Sequence, residues 1–387
     1  MPLPKAFETI KICHVITALS LLGGAERMLI RLLLANPELS HNRMVLVLCR
    51  AGIWGEKLRF SGVIVHELGM KSALDIPRIF WQLKQLIRQF DPDIVQTWLY
   101  HADFLGGLAA YFSGYKSIIW SIRRTSPDGD PIATRILMKL CALLSHLIPK
   151  SIISVAEAGK QSHIAIGYKA EPMVVIPNGF DFENLTATIE QRNALRSKYK
   201  ILGDELVIGC MGRFHFAKGQ DYLIKAANLI SQKHPGIKFM MVGLGCDEDN
   251  SKLSGWIAEH NLQNCFVLLG ERQDVSVCLA AMDIFCMPSR TEGFPNALGE
   301  AMAMGLPCVV TDVGDTSILA GDAAILVPPQ DELMLADALS KLIAMSNAQR
   351  INFGLKAKTR VINEFSIQKS CERYNAVYRQ LMSLGLK

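Results

Sequence analysis

Two carboxylates eight positions apart, Glu292 and Glu300, stand in the segment SRTEGFPNALGEAMAMGLPCVVTDVG at 289–314. The first follows the buried-strand pattern DIFCMPS, and the second lies on the helix that the intervening loop opens. At 100° per residue, eight positions leave a displacement of about 80°, so both carboxylates can face one ligand. The helix start near Asn296 adds free backbone N–H groups and the positive end of a helix dipole, a setting suited to a phosphate. Two basic residues, Arg213 and Lys218, sit among glycines in GRFHFAKGQDYLIKA at 212–226, directly after another apolar strand. The plain alternative is a set of solvated surface charges. It does not account for the tight turn that delivers Glu292 straight from a buried strand. Elsewhere, TWLYHADFLGG places His101 and Asp103 just past a strand, and SIRRTSPDGD presents Arg123, Arg124 and Asp128 after the next one. These arginines either bind an acidic or phosphorylated ligand or cap neighbouring carbonyls.

The elements that must hold these residues are short β-branched runs alternating with helix-length amphipathic segments, the pattern of parallel sheets built from βαβ units. Strands are expected at 11–18, 43–49, 63–68, 94–98, 118–122 and 152–155, and again at 206–211, 238–242, 266–269, 284–287, 308–311 and 325–327. Helices are expected at 25–35 and 77–90, and two or three more within 331–387. The sequence therefore predicts an α/β protein of two doubly wound Rossmann-like domains. The joint is placed near 171–182, where Pro177, Asn178 and Gly179 form a turn. The domains run 1–172 and 173–364, and 365–387 is a terminal helix expected to pack back on the first domain. Ligands of open α/β sheets bind at the carboxyl ends of the strands, so the cleft between two such domains is the expected site.

The chain has 387 residues, half of them apolar and a fifth charged, which excludes disorder and fibrous repeats. Despite a mean hydropathy of +0.22, no run reaches the roughly 20 apolar residues of a membrane span. No secretory signal is visible at the start, so a cytoplasmic location is expected. The ten cysteines include no Cys-x-x-Cys pair and no zinc-finger spacing, and they read as buried thiols. The net charge of +5 is uneven: residues 1–170 carry +8 and residues 171–387 carry −3. The basic half is expected either to face something anionic or simply to be solvated. Without a Lys/Arg block or an RNP-type motif, nucleic acid is not an expected partner. Helix 77–90, PRIFWQLKQLIRQF, mixes basic residues with Phe80 and Trp81. It either touches an anionic membrane surface or buries these rings against the first sheet.

Four segments in order and spacing resemble glycosyltransferase family 4, the group 1 retaining transferases of GT-B fold. EGFPNALGE matches that family's Glu-x7-Glu motif. ITALSLLGGAERML at 16–29 is similar to its first-strand turn, GRFHFAKGQDYLIKA to its Arg–Lys phosphate segment, and MVGLG at 241–245 to its sheet-end glycine turn. The resemblance runs from about residue 11 to the terminal helix. It implies two domains facing across a cleft, with Glu300 on the ribose hydroxyls of a nucleotide-sugar and Glu292 on its sugar. Arg213 and Lys218 would hold the diphosphate. Gly23, Gly24 and Gly243 would let the backbone approach the nucleotide-sugar, and Gly293, Phe294, Asn296, Ala297 and Leu298 would line it. Arg272, in GERQDV, would lie beside the base. His101 resembles an acceptor-side histidine of the family, with Asp103, Arg123 and Arg124 as companions. One departure is Pro295, at a position where the family often has glycine. It has no N–H to give but suits the first position of a helix.

The implied reaction is metal-independent transfer of a hexose or N-acetylhexosamine, with retention, from a UDP-sugar or a GDP-sugar to a carbohydrate or lipid-linked acceptor in surface polysaccharide or glycoconjugate biosynthesis. No cofactor is expected. Three Asp-x-Asp matches, 91–93, 128–130 and 247–249, read as background, and neither a full G-x-G-x-x-G nor a P-loop occurs. A non-catalytic sugar-nucleotide binding protein and a nucleotide-sugar epimerase of the same architecture stay open as alternatives.

Overall fold

The computed structural model describes residues 10–20, 23–125, 131–183, 185–203 and 205–383; Asp128 lies outside them. The chain divides into two units, one of 1–179 with 367–387 and one of 180–366.

The first unit runs β1 (Ile12–Ile16), α1 (Gly24–Leu34), β2 (Arg43–Val47), α2 (Gly52–Phe60), β3 (Ile64–Glu67), α3 (Ile76–Phe90), β4 (Ile94–Trp98), α4 (Tyr100–Tyr111), β5 (Ile118–Ile122), α5 (Ile132–Leu144), β6 (Ser151–Ser154), α6 (Glu157–Ile166) and β7 (Met173–Val175). All seven strands are parallel, in the order β3-β2-β1-β4-β5-β6-β7. The central strands β1, β2, β4 and β5 are buried along their whole length. This is why they read as continuous apolar runs rather than alternating ones. Two apolar layers follow, one on each face of the sheet.

The second unit runs α7 (Ile189–Lys198), β8 (Val207–Met211), α8 (Gln220–Lys233), β9 (Lys238–Val242), α9 (Ser251–Glu259), β10 (Phe266–Leu268), α10 (Val275–Ala280), β11 (Ile284–Met287), α11 (Asn296–Ala303), β12 (Cys308–Thr311), α12 (Thr316–Ala320), β13 (Ile325–Val327), α13 (Glu332–Ala344) and α14 (Asn347–Phe365). Its six strands are parallel in the order β10-β9-β8-β11-β12-β13. Both sheets thus follow the doubly wound plan, with a switch point between β1 and β4 in one and between β8 and β11 in the other.

The first unit extends to Gly179 rather than ending at 172. The reason is β7, which pairs with β6 at Ile152↔Met173 and completes the first sheet. The terminal helix α15 (Ile367–Ser383) is part of the first unit. There Tyr374 stacks on Trp98 at 6.1 Å, and the Tyr378 hydroxyl donates to Gln96 Oε1 at 2.6 Å. Gly179 passes beneath α15 so closely that a Cβ would lie 2.7 Å from Ile367 Cα.

Candidate active site

At the switch point of the second unit, the loops after β8 and β11 meet. The β8 loop turns at Gly212, makes one short 3-10 turn at Phe216–Lys218, and enters α8 through Gly219 in the left-handed region at φ 63°. A side chain at Gly219 would strike the Pro288 carbonyl at 2.1 Å, so only glycine lets this loop press against the end of β11. Gly243 plays the same part after β9: its φ is 147°, and a Cβ would lie 2.2 Å from Gly212 O. The two loops are laced by Arg290, whose guanidinium grips Asp221 at 2.8 and 2.5 Å and lies 4.2 Å from the ring centroids of both Phe216 and Tyr222. Its own N–H donates to Ala217 O at 2.8 Å.

This lacing sets Lys218 Nζ 2.6 Å from Glu292 Oε1, and Ser289 Oγ donates to the same oxygen at 2.6 Å. The Glu292 side chain is only 9% exposed, against 29% for Lys218. With both donors on Oε1, no described residue bonds Oε2, which stays available as an acceptor for a hydroxyl group. Beneath the loop, Gly314 (φ 57°) would bring a Cβ to 2.2 Å from Glu292 O. Glu300, on α11, is buried at 4% exposure. Arg213 is exposed, and no described residue pairs with its guanidinium. Its carbonyl accepts from Gln220 Nε2 at 2.9 Å.

The α11 end carries no side-chain cap. Pro295 is the N-cap, extended at φ −78°, one position earlier than the first helical place expected for it. Asn296 and Ala297 lie half-buried at the helix start, with Gly293 just ahead of them. Two residues assigned here from sequence face the other way. The Phe294 ring packs with Phe180 and Phe365 at 6.3 and 5.5 Å, and Leu298 is fully buried, so either residue can offer only backbone to a ligand. Arg272 sits past β10, an edge strand, and forms a two-point pair with Asp274 at 2.8 and 2.6 Å that raises its pKa.

The first unit gathers a second group at its own switch point. After β4, Leu99 takes φ 71° and ψ 159°, a region nearly confined to glycine, and this turn starts α4 with His101 exposed in its first turn. Partial desolvation holds the His101 pKa below its ordinary value. Asp103, expected to meet an acceptor, is instead fully buried: Oδ1 accepts from Thr97 Oγ1 at 2.5 Å, Oδ2 has no partner among the described residues, and burial pushes its pKa well up. Arg123 is likewise committed inside the unit, to Asn178 Oδ1 at 2.5 Å, Tyr374 at 3.2 Å and the face of Trp98 at 5.2 Å. Arg124 is exposed.

Gly23 and Gly24 open α1, and the Glu26 carboxylate accepts the Gly23 N–H, with burial raising the Glu26 pKa. Sequence reasoning missed Glu26, Ser289 and Arg290. The Ser-x-x-Glu spacing of 289–292, familiar from helix caps, was the available signal for Ser289.

Residues 205–345 match the family described as glycosyl transferases group 1, and residues 22–184 match glycosyltransferase family 4. The chain belongs to these group 1 glycosyltransferases and is a transferase enzyme. Among its relatives is a capsular polysaccharide biosynthesis glycosyltransferase, CapM, of Staphylococcus aureus, 25% identical over 85% of this chain and 88% of that one. Another is the Escherichia coli UDP-Gal:alpha-D-GlcNAc-diphosphoundecaprenol alpha-1,3-galactosyltransferase, 26% identical over 76% of this chain and 77% of that one. Anabaena HepE, solved in complex with UDP, superposes with a TM-score of 0.83 at 20% identity, covering 96% of this chain and all of HepE. That likeness gives the fold, GT-B, with two Rossmann-like units.

Proposed function

We propose that this glycosyltransferase moves a hexose or N-acetylhexosamine from a UDP-sugar to a carbohydrate or lipid-linked acceptor in the making of a surface polysaccharide or glycoconjugate. Transfer proceeds with retention of configuration and without a metal ion. The observation that carries this reading is the Lys218–Glu292–Ser289 cluster at the β8/β11 switch point. Glu292 Oε2 accepts from the donor sugar, Glu300 from the ribose, and Arg213, Lys218 and the α11 N–H groups meet the diphosphate. Negative charge grows on that diphosphate as the glycosidic bond breaks, and fixed cationic and N–H donors stabilise it most at that moment. The same donors supply what a metal would otherwise do. Glu292 is held by Lys218 and Ser289 in a hydrogen-bonding role, so attack on the face that the leaving phosphate vacates is the preferred course. His101 and Arg124 are the residues of the first unit proposed to meet the acceptor. The UDP complexes of HepE and the UDP-Gal in the name of the Escherichia coli relative favour uridine.

The test is a thermal-shift series with UDP, GDP, ADP and TDP in EDTA. A ligand at 100 times its Kd adds about 2.7 kcal/mol, or about 5–10 °C for a unit of this size. A shift with UDP, followed by an α-configured product from an α-linked UDP-sugar, supports the reading. No shift with any nucleotide overturns it.

A further inference from the structure

We infer that helix α5 is a membrane-docking face that settles into the interface of an anionic bilayer. Its inner side, Met138, Cys141 and Ala142, is buried in the core of the first unit. Its outer side should be polar, yet it carries Ile132, Ile136, Leu140 and Leu143, continued past the helix end by Leu147, all between 42% and 74% exposed. Steps of four, four, three and four residues put them on one stripe, on a helix about 20 Å long. Arg135 and Lys139 are exposed beside the stripe, and residues 131–150 contain no Asp or Glu.

The neighbouring helices extend the same character. α4 packs between α3 and α5. α3 turns Ile79, Leu83 and Ile87 inward and leaves Trp81 exposed, with Lys84 Nζ 4.9 Å from its ring centroid. α3 carries Arg78, Lys84 and Arg88 and no acid, and the one acid of α4, Asp103, is buried. Asp75, at the start of α3, is paired with Arg78 at 3.2 Å. Along the helical residues of α3, α4 and α5, apolar side chains flanked by cations and without an exposed acid match an anionic lipid surface in both polarity and charge. A second copy fits poorly, because a two-fold contact along α5 would set Arg135 and Lys139 against their own equivalents. Of the two readings open for α3, most of its apolar residues follow the inward one, and the long exposed stripe is on α5. This inference does not depend on the donor chemistry.

The experiment is co-sedimentation with vesicles of phosphatidylcholine alone and of phosphatidylcholine with phosphatidylglycerol, at low and high salt. The wild-type chain is expected to pellet with the anionic vesicles and to be partly released by salt. The pair Ile136→Ser/Leu143→Ser should lower partitioning at least tenfold. The pair Arg135→Gln/Lys139→Gln should lower it on the order of thirtyfold. Both pairs are exposed, so unchanged thermal midpoints separate docking from folding. Wild-type protein left in the supernatant with anionic vesicles at low salt overturns the inference. So does an Ile136→Ser/Leu143→Ser variant that pellets like wild type. A wild-type dimer that this variant dissociates, with no vesicle binding, would reassign α5 to self-association.

Discussion

Replacing Lys218 with Met tests the core of the site, because it removes one charge of a pair and leaves the other in place. Glu292 keeps Ser289 but loses the ammonium group 2.6 Å away, and its side chain is only 9% exposed. Orphaning one partner of a fully buried pair costs about 3–5 kcal/mol, while exposed pairs are worth about 0–1 kcal/mol. Lys218 is 29% exposed, so an intermediate figure of about 1–3 kcal/mol applies. For a unit of this size that lowers the unfolding midpoint by about 2–12 °C. Turnover should fall roughly 10²–10³-fold, the scale of losing one transition-state donor. The double variant Lys218→Met/Glu292→Gln removes both charges and keeps an acceptor for Ser289, so stability should return to within about 1 kcal/mol. Turnover should stay low. Scanning calorimetry reads the first quantity and release of nucleoside diphosphate from the donor reads the second. Near-normal turnover in Lys218→Met, or recovery of turnover together with stability in the double variant, would show the pair to be structural only.

Three further outcomes are expected. Gly314→Ala should cut turnover at least tenfold, because its Cβ would strike Glu292 O at 2.2 Å. Gly236→Ala, also at positive φ (96°) but with nothing within 4 Å, should cost only about 1 kcal/mol of strain and leave turnover alone; equal losses would refute the loop argument. Asp103 has a folded pKa raised well above its unfolded value, so its contribution to stability is present in acid and is lost as pH rises from about 4. Asp103→Asn should therefore match wild type near pH 4 and exceed it progressively toward neutrality in thermal unfolding, and parallel curves would contradict this. Finally, activity should survive EDTA; loss that manganese restores would refute metal independence.

The two sheets were legible because their central strands are buried on both faces and write unbroken apolar runs, punctuated by glycines that the turns demand. The Glu292 and Lys218 loops were legible for the same reason, since strand, glycine and charge follow one another along the chain. What was misread depended on partners distant in sequence. β7 is too short to announce which sheet it joins, and only its register with β6 assigns it. Asp103 reads as a surface acid until Thr97 is seen beneath it, and Arg123 reads as a ligand-binding cation until Asn178 and Tyr374 take its donors. Helix α5 is apolar on both sides, which in sequence imitates a buried helix; only the fold reveals that one side faces outward.

The most direct test of the central claim, that the β8/β11 switch point holds a nucleotide-sugar, is titration calorimetry with UDP and with a UDP-sugar on wild type, Glu300→Ala and Glu292→Ala, all in EDTA. If the claim holds, Glu300→Ala weakens both ligands at least tenfold, the cost of a charged hydrogen bond of about 1.5–3 kcal/mol. Glu292→Ala should leave UDP unchanged and weaken only the UDP-sugar. UDP binding to Glu300→Ala with wild-type affinity would contradict it.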